Sequence, residues 1–171
     1  MKKYTKEDMK NFERDEFGNL ICPTGDYSQI RSFGEWCNFG KECRFDMGCR
    51  FGSDCSFGAH CSFGAHCSFG ALCRFDKECH FGEECHFGEW CRFCEECHFG
   101  EWCSFGAYCG FGGNCRFGAR CRFGESCNFV EHCNFGKDCS FGMSCNLRRI
   151  ITDLPVEGVR KSVNRCWRDE E

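Results

Sequence analysis

Cysteine is the residue most able to do chemistry in this chain, at 22 of 171 residues. Thiolates hold zinc, act as nucleophiles and form disulfides. Nineteen of them stand at 37, 43, 49 and every sixth position to 145. Zinc motifs pair cysteines two to four residues apart and let them converge on one point. An uninterrupted period of six does not. Phe keeps the same period, at 33, 39, 45 and every sixth position to 141, so each of these cysteines opens or closes a Cys-x-Phe or Phe-x-x-x-Cys interval. In an extended segment alternate side chains share a side, which points Cys and Phe of Cys-x-Phe inward together and x outward. The repeat cysteines therefore read as core thiols, small polarisable hydrophobes rather than reagents. Cys94 differs. It replaces a Gly after Phe93, should be exposed, and has Glu95 and Glu96 beside it to raise its pKa, which makes it a poor nucleophile.

The hexad also dictates the element that must carry these thiols. Two inward residues in six make a very short strand, and Gly-x-x must then turn the chain, with Gly supplying the backbone angles a corner demands. Gly follows Phe in every unit except at Asp46, Asp76, Cys94 and Val130. A strand and a corner every six residues produce a coil that stacks on the next about 4.8 Å away, with identical inward residues in ladders. Residues 1–32 form a non-repetitive head, the repeat fills 33–152 if Leu147 and Ile151 continue the Phe and Cys positions, and 153–171 form a charged tail.

Written from Phe, a unit such as Phe57-Gly58-Ala59-His60-Cys61-Ser62 resembles the hexapeptide repeat of left-handed parallel β-helix proteins. The resemblance implies triangular coils of three hexads, about six of them over the repeat, in a rod roughly 30 Å long. Phe and Cys replace that family's aliphatic and small residues. The Cys-x-Phe centre also resembles pentapeptide repeats, which form a right-handed quadrilateral β-helix, but the period is six, which ranks that fold second. More narrowly, the repeat together with Gly25-Asp26-Tyr27-Ser28 resembles uncharacterised Cys-x-Phe-Gly repeat proteins of gut bacteria and their phages.

Hexapeptide acyltransferases use a His and build their sites from long loops; this repeat has no such loops. Carbonic anhydrases of that family hold zinc through three His, two of them five residues apart, whereas His60/His66 and His80/His86 are six apart. His80 and His98 differ by one full coil and would stack, as a solvated ladder or on a shared metal. An acyltransferase or metal protein is thus the least favoured reading. No catalytic constellation, cofactor or metal is assigned.

The ends need lids, because an open coil exposes core and strand edges. Thr5-Lys6-Glu7-Asp8 reads as a helix start with Met9 and Phe12 on one face, and Phe17 to Cys22 as a turn and short strand leading into the first coil. Asp153-Leu154-Pro155 reads as the start of a second capping helix, with Val156, Val159, Val163, Cys166 and Trp167 on its apolar face. The N-terminus has charges without an apolar stretch and no apolar run reaches a membrane span, so a cytoplasmic protein with reduced thiols is expected.

Function must then reside outside the core. With three hexads per coil the outward x residues form three columns: Arg50, Ser68, His86, Ser104, Arg122; Ser56, Arg74, Arg92, Gly110, Asn128; and Arg44, Ser62, His80, His98, Arg116, Asn134. None is acidic; the acids of the repeat sit at corners. Either these arginines reach sideways to corner carboxylates, or a flat face lies along a partner of opposite charge. Trp36, Trp90, Trp102 and Tyr108 fall at corners, where they could be contact sites. The formal charge of −4 suits neither a generic nucleic-acid binder nor, being small, an established mimic. The leading expectation is a non-enzymatic rod that binds a protein partner or itself. A nucleic-acid mimic or polyanion-binding module is the alternative.

Overall fold

The computed structural model describes residues 1–147 and is a parallel β-solenoid of about seven turns, with one short helix among the described residues. The C-terminal capping helix expected over 153–171, and Ile151, lie outside the described residues. Three sheets enclose a single core. Sheet I has seven strands, from β1 (Leu20–Cys22) to Asn128–Phe129 and including Arg74–Phe75 and Arg92–Phe93. Sheet II has six, from Arg44–Phe45 to Asn134–Phe135, and sheet III has seven, from Ser32–Phe33 to Ser140–Phe141. Paired residues stand three hexads apart throughout the repeat, as in His80↔His98 and Arg74↔Arg92. The turn count exceeds the six expected because the head supplies part of another coil.

Each hexad makes three backbone bonds to neighbouring coils. Ser62 N–H donates to Cys43 O, Gly64 N–H to Phe45 O, and His66 N–H to Glu83 O, at 2.9, 3.0 and 2.9 Å. The core is aromatic and ordered. Along one sheet the rings stack almost parallel, as for Phe57 and Phe75 at 4.9 Å and 3°; between sheets they meet edge to face, as for Phe57 and Phe63 at 5.0 Å and 86°. Such edge-to-face pairs add roughly 0.5–1.5 kcal/mol beyond area burial. This explains how a core of Phe rings can fill the interior of every coil.

The glycine after Phe has a different role from the one its conformational freedom suggests. The positive φ falls two residues later, on the residue before Cys: His60, His66, Trp90 and fifteen other non-glycine residues lie near +60°, and of the repeat glycines only Gly48 does. The Gly after Phe is needed for close approach. A Cβ on Gly64 would lie 2.4 Å from the backbone nitrogen of Met47 in the preceding coil. The corner thus concentrates its left-handed strain on ordinary side chains, at roughly 1–2 kcal/mol per residue.

The head is a coil that has lost its regular register. Thr5 caps the helix α1 (Lys6–Lys10) with a capping box to Asp8. Beneath it Tyr4 stacks on Tyr27 at 5.1 Å, and Tyr27, fully buried, stacks on Phe45 at 5.4 Å, so both tyrosines prolong the ladder of sheet II. Asp26 bridges Arg44 in parallel, at the same three-hexad interval as the repeat. The register then slips by one: in β1, Leu20 pairs with Cys37 and Cys22 with Phe39, so Cys22 takes a Phe place. Among the described residues no helix is long and apolar enough to cross a membrane.

Candidate interaction surface

The cysteine columns come first, because they decide what the thiols can do. Every repeat cysteine is buried. From Cys55 onward each thiol lies 3.2–3.6 Å from a carbonyl 21 residues earlier, usually that of the close-approach Gly; Cys85 reaches Gly64 O at 3.5 Å. An S–H donor thus satisfies a carbonyl beside the aromatic core, which no purely apolar side chain of this size could do. Contact with Cys37 in the same column, together with burial, pushes the Cys55 thiol up to about 12. Cys55 therefore stays protonated near neutrality, whereas contact with thiols above and below lowers Cys61, Cys85, Cys109 and Cys121, so each column titrates as a set rather than thiol by thiol. Cys94 is exposed, as expected, and its thiol is also raised, by partial burial first and then by Asp76 and Glu95. Asp76, one coil below, was not among the neighbours the sequence pointed to; Glu96 was.

The three outward columns form as the spacing predicts. Sheet I carries Ser56, Arg74, Arg92, Gly110 and Asn128 in successive coils. Sheet II carries Arg44, Ser62, His80, His98, Arg116 and Asn134. Sheet III carries Arg50, Ser68, His86, Ser104 and Arg122. His80 and His98 meet edge to face at 4.8 Å, and burial, then His80 and Arg116, hold the His98 pKa below the usual imidazole value. His86 Nδ1 hydrogen-bonds Ser104 Oγ.

Neutralisation of the face arginines by corner acids is not what the structure contains. Among the described residues the ion pairs lie at corners, within the head or, for Arg31 and Asp46, between the head and a corner, and none involves Arg44, Arg50, Arg74, Arg92, Arg116 or Arg122. Corner side chains instead pair with the corner side chain one coil away. His60 meets Glu78 at 3.3 Å and His66 meets Glu84 at 3.4 Å. Trp90 stacks on Tyr108 at 4.5 Å and 11°. Arg120 lies over Trp102 at 4.7 Å and reaches Asp138 at 3.7 Å. The αL backbone explains the pairing, since it projects every corner side chain in the same direction, so equivalent residues of successive coils lie side by side. Applying the three-hexad offset to the residue before each Cys would have revealed these pairs in the sequence.

The aromatics consequently divide. Trp102 lies under Arg120 at one corner, while Trp36, Leu72, Trp90 and Tyr108 share the corner between sheets III and I; all five are 42–52 % exposed. Arg74 and Arg92 stand immediately beside that corner, separated from Leu72 and Trp90 by one inward cysteine each.

In comparisons with known proteins, the profile of the RNA-binding, Nab2-type zinc finger family matches residues 42–58, 48–64, 54–70, 61–76, 72–88, 78–93, 102–124 and 114–130. Together these windows cover 81 of 171 residues, 42–93 and 102–130. No curated protein and no solved structure matches the chain. The first three windows advance by six residues and overlap, so one cysteine would have to serve several fingers at once. The residues do not fit zinc. The thiols point into an aromatic core and donate to carbonyls, while His60 and His66 lie at corners against carboxylates. Among the described residues no group of three or more His, Cys, Asp or Glu is placed to hold a metal ion. Every matched window lies inside the Cys-x5-Cys repeat.

Proposed function

We propose that the chain is a non-enzymatic interaction rod that presents its corners and flat faces to a protein partner. The observation that carries this reading is the contrast at the surface. Six face arginines lack an ion-pair partner among the described residues, and one corner exposes Trp36, Leu72, Trp90 and Tyr108. Trp, Tyr and Arg are the residues most enriched where protein interfaces concentrate binding energy. A continuous backbone ladder fixes the main chain that carries them, so little backbone ordering entropy opposes binding. We read the three sheets and the three-hexad coil as a hexapeptide-type left-handed β-helix, the Cys-x-Phe-Gly pattern as a bacterial or phage repeat, and the many thiols as suited to a reducing cytoplasm.

Affinity capture with the intact chain, followed by reconstitution with the purified captured protein, tests the reading. Saturable micromolar or tighter binding supports it; failure of every captured protein to bind in purified form counts against it. The free arginines also favour a second reading, a polyanion-binding face. That reading requires retention on heparin that falls steeply with salt.

A further inference from the structure

We infer that the face of sheet I and its aromatic corner form a docking site for a short acidic segment of a partner protein that also carries an apolar side chain. This inference rests on the interaction-rod reading and names the surface and the partner's chemistry. Arg74 and Arg92 are cross-strand neighbours, the one place in the described repeat where two outward arginines are adjacent. Neither guanidinium has an ion pair or a side-chain hydrogen bond among the described residues. Two such groups side by side repel each other unless an anion lies between them, and the guanidinium fork matches a carboxylate.

The apolar half of the site is the adjoining corner, where Leu72, Trp90 and Tyr108 occupy successive coils with Trp90 stacked on Tyr108. The next rung of sheet I is bare. Gly110 follows Arg92, and a Cβ built on it meets nothing within 4 Å. A partner backbone can therefore approach the sheet closely beside Tyr108 while its carboxylates reach the two arginines. Acidic residues two apart in an extended segment lie about 7 Å from one another, within reach of two long flexible side chains on adjacent coils.

The surrounding charge selects a short peptide over a nucleic acid. Asp76, Glu78, Glu95 and Glu96 line one edge of this face, with Lys77 the cation among them, and Glu89 lines the other. A uniformly charged phosphate chain long enough to bind would run against those carboxylates, whereas a segment with two or three acids need only meet the arginines.

The test selects 12-residue peptides from a displayed random library on the intact protein, then measures the synthesised peptides and a single-stranded U15 oligonucleotide by fluorescence anisotropy. The expected peptides combine Asp or Glu with an aromatic or aliphatic residue. The double variant R74S/R92S should weaken them at least tenfold and W90A severalfold, while R44S/R116S on sheet II changes binding less than twofold. Circular dichroism of each variant establishes that the solenoid is retained. Peptides that bind R74S/R92S as well as the unaltered chain overturn this site yet leave the interaction rod standing. Recovery of no peptide, or U15 binding that is lost in R74S/R92S, also overturns it. The rod reading itself falls only if the reconstituted captured proteins fail to bind.

Discussion

The inward and outward columns of this solenoid obey opposite rules. Inward, Cys and Phe recur without exception over the repeat, and each ring or thiol sits against its counterpart one coil away. Outward, the residue changes between most adjacent coils, Arg74/Arg92 and His80/His98 being exceptions, and what it touches depends on whether it stands on a face or a corner. Corner side chains pair along their column; face arginines do not. The difference teaches that the residues richest in chemistry are the ones the fold has locked away. Binding capacity is left to side chains that the ladder merely positions.

Substitution of neighbours separates the two rules most sharply. Phe75, 1 % exposed and stacked between Phe57 and Phe93, should cost about 3–5 kcal/mol when changed to Ala. Arg74→Ser, one residue earlier, should change stability by less than about 0.5 kcal/mol. Urea unfolding of both variants checks the pair. A smaller loss, about 1–2 kcal/mol, is expected for Cys103→Ala, which removes a buried sulfur and the donor that Gly82 O accepts at 3.5 Å.

Thiol reactivity extends the comparison. In a Cys166→Ser background, an aromatic disulfide reagent should modify one thiol of the folded protein, Cys94, and the buried ones only after denaturation. Because burial, Asp76 and Glu95 raise its pKa, Cys94 holds less thiolate at pH 8 than a free cysteine and should react more slowly. Its rate should continue to climb as pH passes 9, and Asp76→Asn should accelerate it. Rapid modification of several thiols under native conditions would break the division between inward and outward columns. The smallest effect concerns the corners. Ser126 holds a φ of 55°, and Ser126→Asn should raise stability by a few tenths of a kcal/mol, because Asn tolerates that region better.

Much of this architecture was legible in the hexad. A strict period of six with Cys and Phe two apart already implied inward ladders, three outward columns and their membership, because alternation and stacking are the only ways to bury both residues repeatedly. The capping box at Thr5 and Asp8 was legible for a similar local reason. What escaped depends on contacts between coils rather than on pattern within one. The strain sits on residues such as His60 and Trp90 because the close-approach glycines bring backbones together, which a single unit does not reveal. Tyr27 stands one full coil before Phe45, yet no Cys-x-Phe marks it, so its place in the ladder was missed. The corner pairs lay within reach of the three-hexad offset, but that their side chains touch while Arg74 and Arg92 stay unpaired among the described residues depends on the αL projection in the assembled coil.

The central claim is that the Cys-x5-Cys spacing builds an aromatic solenoid core and not a string of zinc sites. Far-ultraviolet circular dichroism during thermal unfolding, with and without excess EDTA, tests it most directly. A β-type spectrum and an unchanged Tm in chelator are expected, because hydrogen-bonded coils and stacked Phe rings need no metal. Collapse of the spectrum on chelation, with recovery on adding zinc, is the behaviour of metal-folded fingers and would contradict it.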